Sequence, residues 1–274
     1  MLYDPGELST YRASDGNVVR IEYIKTVSST AELAREYARN GKPDRYAVFS
    51  EQQKTSPIIG TRLADGAVEN GIFISLILRP SIFPSQAGLL APLAATALLN
   101  AYEEHTTQNA AIGWVSDVLY NGEKIGGCTI EGKLDNVSSY EYLIVNFALK
   151  LDTKTFSPRL TDMIRRVFDD ESPSVSMLIA RTVLNKFFTV YSDIKNPSKH
   201  MNFYKHKFAY YGKRIKFIKD GKKVPGKISD VDKKNCALIV EDTNGQSYNI
   251  TSPSSIAFPK HFDIHTILNI TKKH

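Results

Sequence analysis

The hydrophobic pattern before residue 211 predicts a mixed α+β domain. Residues Val18 to Lys25 alternate and are rich in β-branched and aromatic side chains, which is typical of a strand. Ser29 and Glu32 have the spacing of a capping box, and the segment Ala31 to Asn40 has helix-forming composition and ends at Gly41. We therefore expect this segment to be a strand followed by a capped helix.

The same criteria predict the other elements of this region. Strands are expected at 46–50, 71–78, 114–120, 124–133 and 140–151, and helices at 85–105, 161–168 and 174–191. The dipeptide Asn121-Gly122 is a strong hairpin signal between two of the strands, and Pro92 predicts a kink in the long helix. The segment 53–70 has a proline, glycines and no period, so we expect a long loop of the kind that is usually functional.

Beyond Tyr211 the pattern changes to short strands that are separated by turn residues. Strands are expected at 214–219, 223–231, 236–241 and 247–251, with turns at Asp220-Gly221 and Asn244-Gly245. Closely spaced strands of this kind indicate a small antiparallel barrel. The sequence therefore predicts two domains, residues 1–211 and 212–274.

Composition excludes several classes of protein. Of 274 residues, 42% are hydrophobic and 23% are charged, as in ordinary globular domains. Cys128 and Cys236 lie far apart, and the isolated pair His261 and His265 lies close to Pro259, so no disulfide, zinc or other metal site is predicted. The apolar runs are shorter than the roughly 20 residues that cross a bilayer, and no signal-peptide pattern is visible. We therefore expect no membrane segment and a cytoplasmic location.

The net charge of +6 is concentrated between Lys195 and Lys223, where basic residues are interleaved with aromatic ones. Such a mixture can bind nucleic acid through phosphate contacts and base stacking. No nucleic-acid-binding motif accompanies it, so a solvated connector is favoured over a nucleic-acid site. Steering of an acidic protein partner is a third interpretation.

The strongest chemical signal is the string KIGGCTIEG, Lys124 to Gly132, which follows the hairpin turn. It resembles the K-[IL]-[AG]-G-[IV]-[LT]-[IV]-E signature of the biotin–protein ligases, within the biotin/lipoate protein ligase family. The resemblance implies that Lys124 is the catalytic lysine, which contacts the biotin carboxylate and the α-phosphate of ATP. It also implies that Gly127 lets the substrate approach the strand closely. Taken alone, a lysine after an Asn-Gly turn is usually a solvated hairpin residue.

Two segments resemble the part of the family site that binds biotin. VSSTA lies over the family's D-S-T-N, which implies that Ser29 and Thr30 hydrogen-bond the biotin ureido ring. Ser29 is equally a good N-cap for the following helix, and both roles are compatible. SEQQ resembles A-E-x-Q, which makes Gln53 a candidate for the biotin ring.

On the nucleotide side the resemblance is weaker. GWVSD resembles KWPND and keeps Trp114, which is either core or a wall of the substrate pocket, and Asp117, which supports the nucleotide side. KTSPIIGTR stands where the family has the GRGRRG loop that closes over the adenylate, and only Lys54, Gly60 and Arg62 could supply part of that function.

NFALK, Asn146 to Lys150, stands where the family has G-I-G-I-N. Each missing glycine adds a side chain where ligand should lie. Together with the altered loop, this difference predicts a degenerate active site whose pocket is narrower or re-shaped.

The resemblance extends from about Val18 to Ser255. It implies a class II synthetase-like catalytic domain and a C-terminal SH3-like barrel, without the winged helix of the repressor type of ligase and hence without operator binding. The implied activity uses ATP and Mg²⁺ to activate biotin or a related carboxylic acid as an acyl-adenylate, and then transfers it to a lysine of a carrier protein domain. The alternative is a non-catalytic homologue that binds a ligand or protein partner. The identity of the acid is open, as is the choice between monomer and homodimer.

Overall fold

A computed structural model describes residues 7–54, 69–82, 84–135, 139–150, 158 and 175–257. The strands within these ranges are β1 Glu7–Arg12, β2 Val18–Tyr23, β3 Thr26–Val27, β4 Tyr46–Gln53, β5 Glu69–Leu78, β6 Ala111–Gly113, β7 Asp117–Tyr120, β8 Glu123–Leu134, β9 Tyr140–Leu149, β10 Arg214–Lys219, β11 Lys222–Val231, β12 Leu238–Asp242, β13 Ser247–Ile250 and β14 Ile256–Ala257. The helices are α1 Thr30–Arg39, α2 Pro84–Ala87, α3 Leu90–His105, α4 Val175–Ser192 and α5 Ser198–Lys207, and a short 3₁₀ turn spans Pro253–Ser255.

Among the described residues, nine strands form one mixed sheet. Its order is β1-β2-β4-β5-β9-β8-β7-β6, and β3 pairs with β4 outside this path. The strand β4 is parallel to β2 and β3, and the other pairs are antiparallel. The centre of the sheet, β5-β9-β8, therefore brings together chain segments that are far apart in sequence.

Helices cover both faces of this sheet. Successive side chains of a strand point to opposite faces, so Ile74 and Phe147 face a large core together with helices α3 and α4. Val48 and Ile144 face a smaller core beneath α1, whose buried residues include Ala34. The face beneath α1 also carries the polar side chains of the candidate site described below.

The second sheet has the order β13-β12-β11-β10-β14 and is antiparallel throughout. Its apolar residues, such as Phe217 and Val240, belong to the same core cluster as α3, α4 and the main sheet. Side chains of Lys205 and Tyr211 both bind the carboxylate of Asp230 and tie the connecting segment to the second sheet. Closure of these strands into an SH3-like barrel and the domain boundary near residue 211 stay predictions.

The structure corrects several predicted elements. The long helix is broken into α2 and α3 rather than kinked at Pro92, which lies in the first turn of α3, where a helix does not need its N–H. The predicted strand 114–120 is a turn at 114–116 followed by β7, and the elements β1, β3, β6, β14 and α5 were not predicted. The predicted helix 161–168 lies outside the described residues. Among the described helices, none combines the length and apolar character needed to cross a bilayer.

Candidate functional site

A cavity of about 170 Å³ lies on the face of the main sheet that α1 covers. An engineered cavity of about 150 Å³ takes benzene, so this one has room for a small ring system. Its walls come from the start of α1, the end of β4 and the centres of β5, β8 and β9. The lining residues are Ser29, Thr30, Ala31, Arg35, Gln53, Phe73, Thr129, Ile130, Glu131, Asn146, Phe147 and Ala148.

Three of the sequence-predicted site residues meet at one end of this cavity. Gln53 Oε1 accepts hydrogen bonds from both the backbone N–H and the hydroxyl of Thr30, at 2.9 and 3.0 Å. The Thr30 hydroxyl in turn accepts from Ser75 Oγ at 2.9 Å. Ser29 caps α1 by accepting from the backbone N–H of Glu32, so its capping role and its position at the cavity coexist. All of these groups are buried, which holds the network in a fixed geometry.

A second cluster of polar side chains lies across the cavity, and it was not predicted from the sequence. Arg35 Nε lies 2.6 Å from Glu131 Oε2, and Asn146 Nδ2 donates to Glu131 Oε1 at 3.0 Å. Ala31 and Arg35 are one helical turn apart on α1, which places both at the cavity. Glu131 belongs to the KIGGCTIEG string, so a sequence motif could have indicated this residue. Its pairing with Arg35 depends on the packing of α1 on the sheet.

Lys124 is not among the residues that line this cavity. Its Nζ lies 2.7 Å from Asp117 Oδ1, across the β7-β8 hairpin, and the two side chains are 32% and 36% exposed. A Cβ built on Gly127 would lie 3.3 Å from Asp117 Oδ1, so the Asp117 carboxylate shares the face towards which Gly127 is directed. Gly127, Thr129 and Glu131 alternate along β8 and face the same side. The ion pair and the cavity are therefore on the same face of the sheet.

About 10 Å of extended strand separates Lys124 from Gly127, and Gly127 pairs with Ala148 of the cavity wall. A Cβ at Gly127 would come within 2.9 Å of the carbonyl oxygen of Ser116. Close strand packing alone thus requires glycine here, whether or not a substrate approaches.

Comparison with known proteins identifies relatives of about half of the chain. The chain is 31% identical over 136 residues to the bifunctional ligase/repressor BirA of Bacillus subtilis, and the match covers 48% of this chain and 42% of the relative. BirA of Bacillus spizizenii gives the same identity and coverage. The matched region thus spans less than half of the curated relatives. Over this region the chain is similar in sequence to biotin–protein ligases. Searched against family models, it matches none.

Solved structures of biotin–protein ligases share the fold of this chain. The biotin protein ligase of Aquifex aeolicus in complex with biotin has a TM-score of 0.62 and 18% identity, and the match covers 87% of this chain and 98% of that one. The same Aquifex ligase with biotin and ATP has a TM-score of 0.61 and 17% identity over 86% and 97% of the two chains. A biotin protein ligase-like protein of unknown function from Silicibacter has a TM-score of 0.56 and 14% identity over 85% and 94%. The mixed sheet with its helices is therefore the fold of a biotin ligase catalytic domain.

Trp114 is a core residue of this chain. It is 6% exposed, and its Nε1 donates to the carbonyl oxygen of Cys236 at 2.7 Å, which links the turn before β7 to the second sheet. Tyr204 donates from its hydroxyl to the carbonyl of Val115 in the same turn. Trp114 is not among the lining residues of the described cavity, so its interpretation as a pocket wall finds no support there.

Cys128 is buried on β8, beside the lysine end of the site. Burial raises the pKa of its thiol well above its usual range, and the charge of Asp117 adds to this effect while Lys124 opposes it. A thiol with a raised pKa is a poor nucleophile, because little thiolate is present at neutral pH. The site therefore offers no thiol chemistry.

Of the predicted nucleotide-side residues, Asp117 pairs with Lys124 as described, and Lys54 follows β4 directly after Gln53 and is exposed. Arg62 lies outside the described residues, as do the rest of segment 55–68, which was predicted to be a loop, and the His261 and His265 pair. Within the described ranges no three His, Cys, Asp or Glu side chains are grouped as ligands for a metal ion. The described residues thus form no metal site of their own.

Two lysines of the basic segment 195–223 are paired with acidic side chains. Lys205 lies 2.6 Å from Asp230 and Lys207 lies 2.7 Å from Glu103. The aromatic residues Tyr204 and Phe208 are fully buried and stack on each other. Neither ring is available to stack on a nucleic-acid base.

Proposed function

We propose that this chain is an ATP-dependent ligase. It activates biotin or a related carboxylic acid as an acyl-adenylate and transfers the acyl group to a lysine of a carrier protein domain. The observation that carries the proposal is the cavity in which Ser29, Thr30 and Gln53 converge, on the same face of the sheet as Lys124. The biotin–protein ligases among its relatives, one of them in complex with biotin and ATP, support the choice of substrates.

In this proposal the ring of the acid occupies the cavity and its carboxylate extends along β8 towards Lys124. Attack of the carboxylate oxygen on the α-phosphorus forms the acyl–phosphate bond and breaks the bond to pyrophosphate, which leaves. The carrier amine then attacks the acyl carbon, and AMP leaves. Negative charge accumulates around the α-phosphate in the first step, and a positioned ammonium group stabilises it. Lys124 is the residue we assign to this role, with Asp117, Lys54 and Arg62 on the nucleotide side.

Lys124 can leave Asp117 to serve this role. Ion pairs with this degree of exposure contribute about 0–1 kcal/mol, and both side chains are about one-third exposed. An incoming carboxylate and phosphate therefore compete readily for the ammonium group.

A second candidate function is a non-catalytic homologue that binds an acid or a protein partner. The observation that favours it is the position of Lys124, which bonds Asp117 rather than lining the cavity. In this case the chain binds the acid without turning over ATP.

Pyrophosphate exchange into ATP in the presence of biotin, lipoate or octanoate separates the two candidates. We expect Lys124→Ala to lower the exchange rate roughly 100- to 1000-fold. The matched control is Lys133→Ala, which removes another lysine of β8 that pairs with an acid, Glu141, at 2.6 Å, and we expect it to leave exchange unchanged. No exchange by the native chain, combined with thermal stabilisation by biotin, would instead establish the non-catalytic homologue.

A further inference from the structure

The strands β10 and β11 form a hairpin with an apolar face and a basic face. Ile215 and Phe217 of β10 are buried, and the residues that alternate with them point to the opposite face and are exposed. Each of these exposed residues is paired with an exposed residue of β11. The pairs are Arg214 with Lys227, Lys216 with Pro225 and Ile218 with Lys223. We call these six side chains, four of them cationic, the hairpin face.

The cations of the hairpin face differ from other lysines of the basic segment in having no acidic partner. Lys205, Lys207 and Lys219 all lie within 4.0 Å of a carboxylate. The four cations of the hairpin face form no ion pair within the described residues. One acid, Glu241 of β12, stands opposite Lys227 at the border of the face, and it is exposed as well. The hairpin face therefore presents a net positive charge to solvent.

The composition of the hairpin face favours a polyanion over a protein as its partner. Protein–protein interfaces are depleted in lysine, and aromatic or arginine anchors in buried pockets supply most of their binding energy. Three of the four cations here are lysines, and the one large hydrophobic side chain of the face is Ile218, at 44% exposure. Interfaces with nucleic acid are much more positively charged than those between proteins. The charge complementarity of this face is therefore that of a phosphate backbone.

The spacing of the cations also suits a phosphate backbone. Alternate residues of a strand lie about 7 Å apart, so the cations from Arg214 to Lys223 extend over about 14 Å. A nucleic-acid duplex carries one negative charge per roughly 1.7 Å of its axis, so several phosphates fall within this length in any sequence. The six residues of the hairpin face include no aromatic ring that could stack on an unpaired base. A duplex is therefore favoured over a single strand.

We infer that the hairpin face binds the phosphate backbone of double-stranded nucleic acid and does not read its sequence. Each phosphate that a lysine or arginine neutralises releases a counterion, so the affinity falls as the salt concentration rises. None of the six residues lines the cavity beneath α1 or belongs to the Lys124–Asp117 pair. The inference is therefore independent of the proposed ligase function.

The test is fluorescence anisotropy of labelled duplexes of about 20 base pairs in about 50 to 200 mM salt. For four phosphate contacts, the logarithm of the binding constant should fall with the logarithm of the salt concentration with a slope of about −3 to −4. The double variant Lys216→Gln/Lys227→Gln should weaken binding and bring this slope about 2 closer to zero. The matched control is Lys233→Gln/Lys234→Gln, which removes two exposed lysines of the turn between β11 and β12. It should change the slope by less than about 0.5.

Arg214→Gln/Lys223→Gln serves as a second variant, for which the same loss is expected, and circular dichroism checks that each variant is folded. Two duplexes of unrelated sequence should bind within about twofold of each other. The inference is overturned if the native chain does not bind the duplex at about 50 mM salt. It is also overturned if the control variant loses as much as the hairpin variants, because net charge alone would then explain the binding. Tighter binding to phosphatidylserine vesicles than to the duplex, lost in the same variants, would assign the face to an anionic lipid surface instead.

Discussion

The cavity end and the lysine end of the site differ in how strongly their side chains are fixed in place. At the cavity end, buried hydrogen bonds run in one direction from Ser75 through Thr30 to Gln53. At the lysine end, a single ion pair joins Lys124 and Asp117, and solvent reaches both side chains. Removing one member of a buried network leaves an unpaired group behind, whereas a half-exposed ion pair contributes little. The geometry of the cavity end is thus preorganised, and the group proposed for catalysis is adjustable.

This difference explains why one fold supports both candidate functions. The cavity keeps its shape whether or not Lys124 reaches a substrate, because no cavity-lining residue hydrogen-bonds the Lys124–Asp117 pair in the contacts described. Binding of an acid can therefore persist in a chain that has lost catalysis. Substitutions at one end of the site at a time show whether the other end is affected.

The largest effect is expected at the cavity end, from Gln53→Leu. This change leaves the N–H and the hydroxyl of Thr30 without their common acceptor in a buried site, so the free energy of unfolding should fall by about 2–4 kcal/mol. Urea unfolding followed by circular dichroism measures it. The control is Gln52→Leu on the same strand, where Oε1 accepts from the hydroxyl of Thr26 near the surface, and the expected loss is below about 1 kcal/mol. Equal losses in the two variants would contradict a preorganised cavity.

A smaller effect is expected from Trp114→Phe, which acts on the lysine end through the second sheet. The change removes the buried hydrogen bond to the carbonyl of Cys236 and should lower the free energy of unfolding by about 1–2 kcal/mol. Because the turn at 114–116 leads into Asp117, we expect slower pyrophosphate exchange with unchanged biotin affinity. Circular dichroism is the suitable probe, since the chain has a single tryptophan. A parallel loss of biotin affinity would show that the ends are coupled.

Local patterns predicted most elements of the fold. The strand 214–219 was predicted with its observed bounds, and helix α1 was predicted to within one residue because Ser29 provides a clear cap. The helix α5 was not predicted, since its basic and aromatic residues have no clear apolar face and its burial comes from packing against α3 and β6. The break between α2 and α3 depends on tertiary contacts that hydrophobic periodicity does not contain.

Sequence motifs predicted the site residues that belong to them. They did not predict the contacts that arise from tertiary packing. Ser29, Thr30 and Gln53 were found by resemblance, and the structure brings them together at one cavity. The pairing of Arg35 with Glu131 joins residues on a helix and a distant strand, so no local signal predicts it. The glycine replacement at Asn146 was visible in the sequence. That its amide Nδ2 donates to Glu131 could be seen only from the register of β8 against β9.

The smallest effect is expected for the Lys124–Asp117 pair itself, and it discriminates most sharply between the two candidate functions. In a double-mutant cycle of Asp117→Asn and Lys124→Met, we expect a coupling energy below about 1 kcal/mol, because both side chains are partly solvated. The coupling should shrink further in 1 M salt, where the Debye length is about 3 Å. Urea unfolding of the four proteins at low and high salt provides the measurement. A coupling above about 2 kcal/mol that persists in high salt would mean that Asp117 holds the ammonium group too firmly for a substrate to capture, which favours the non-catalytic homologue.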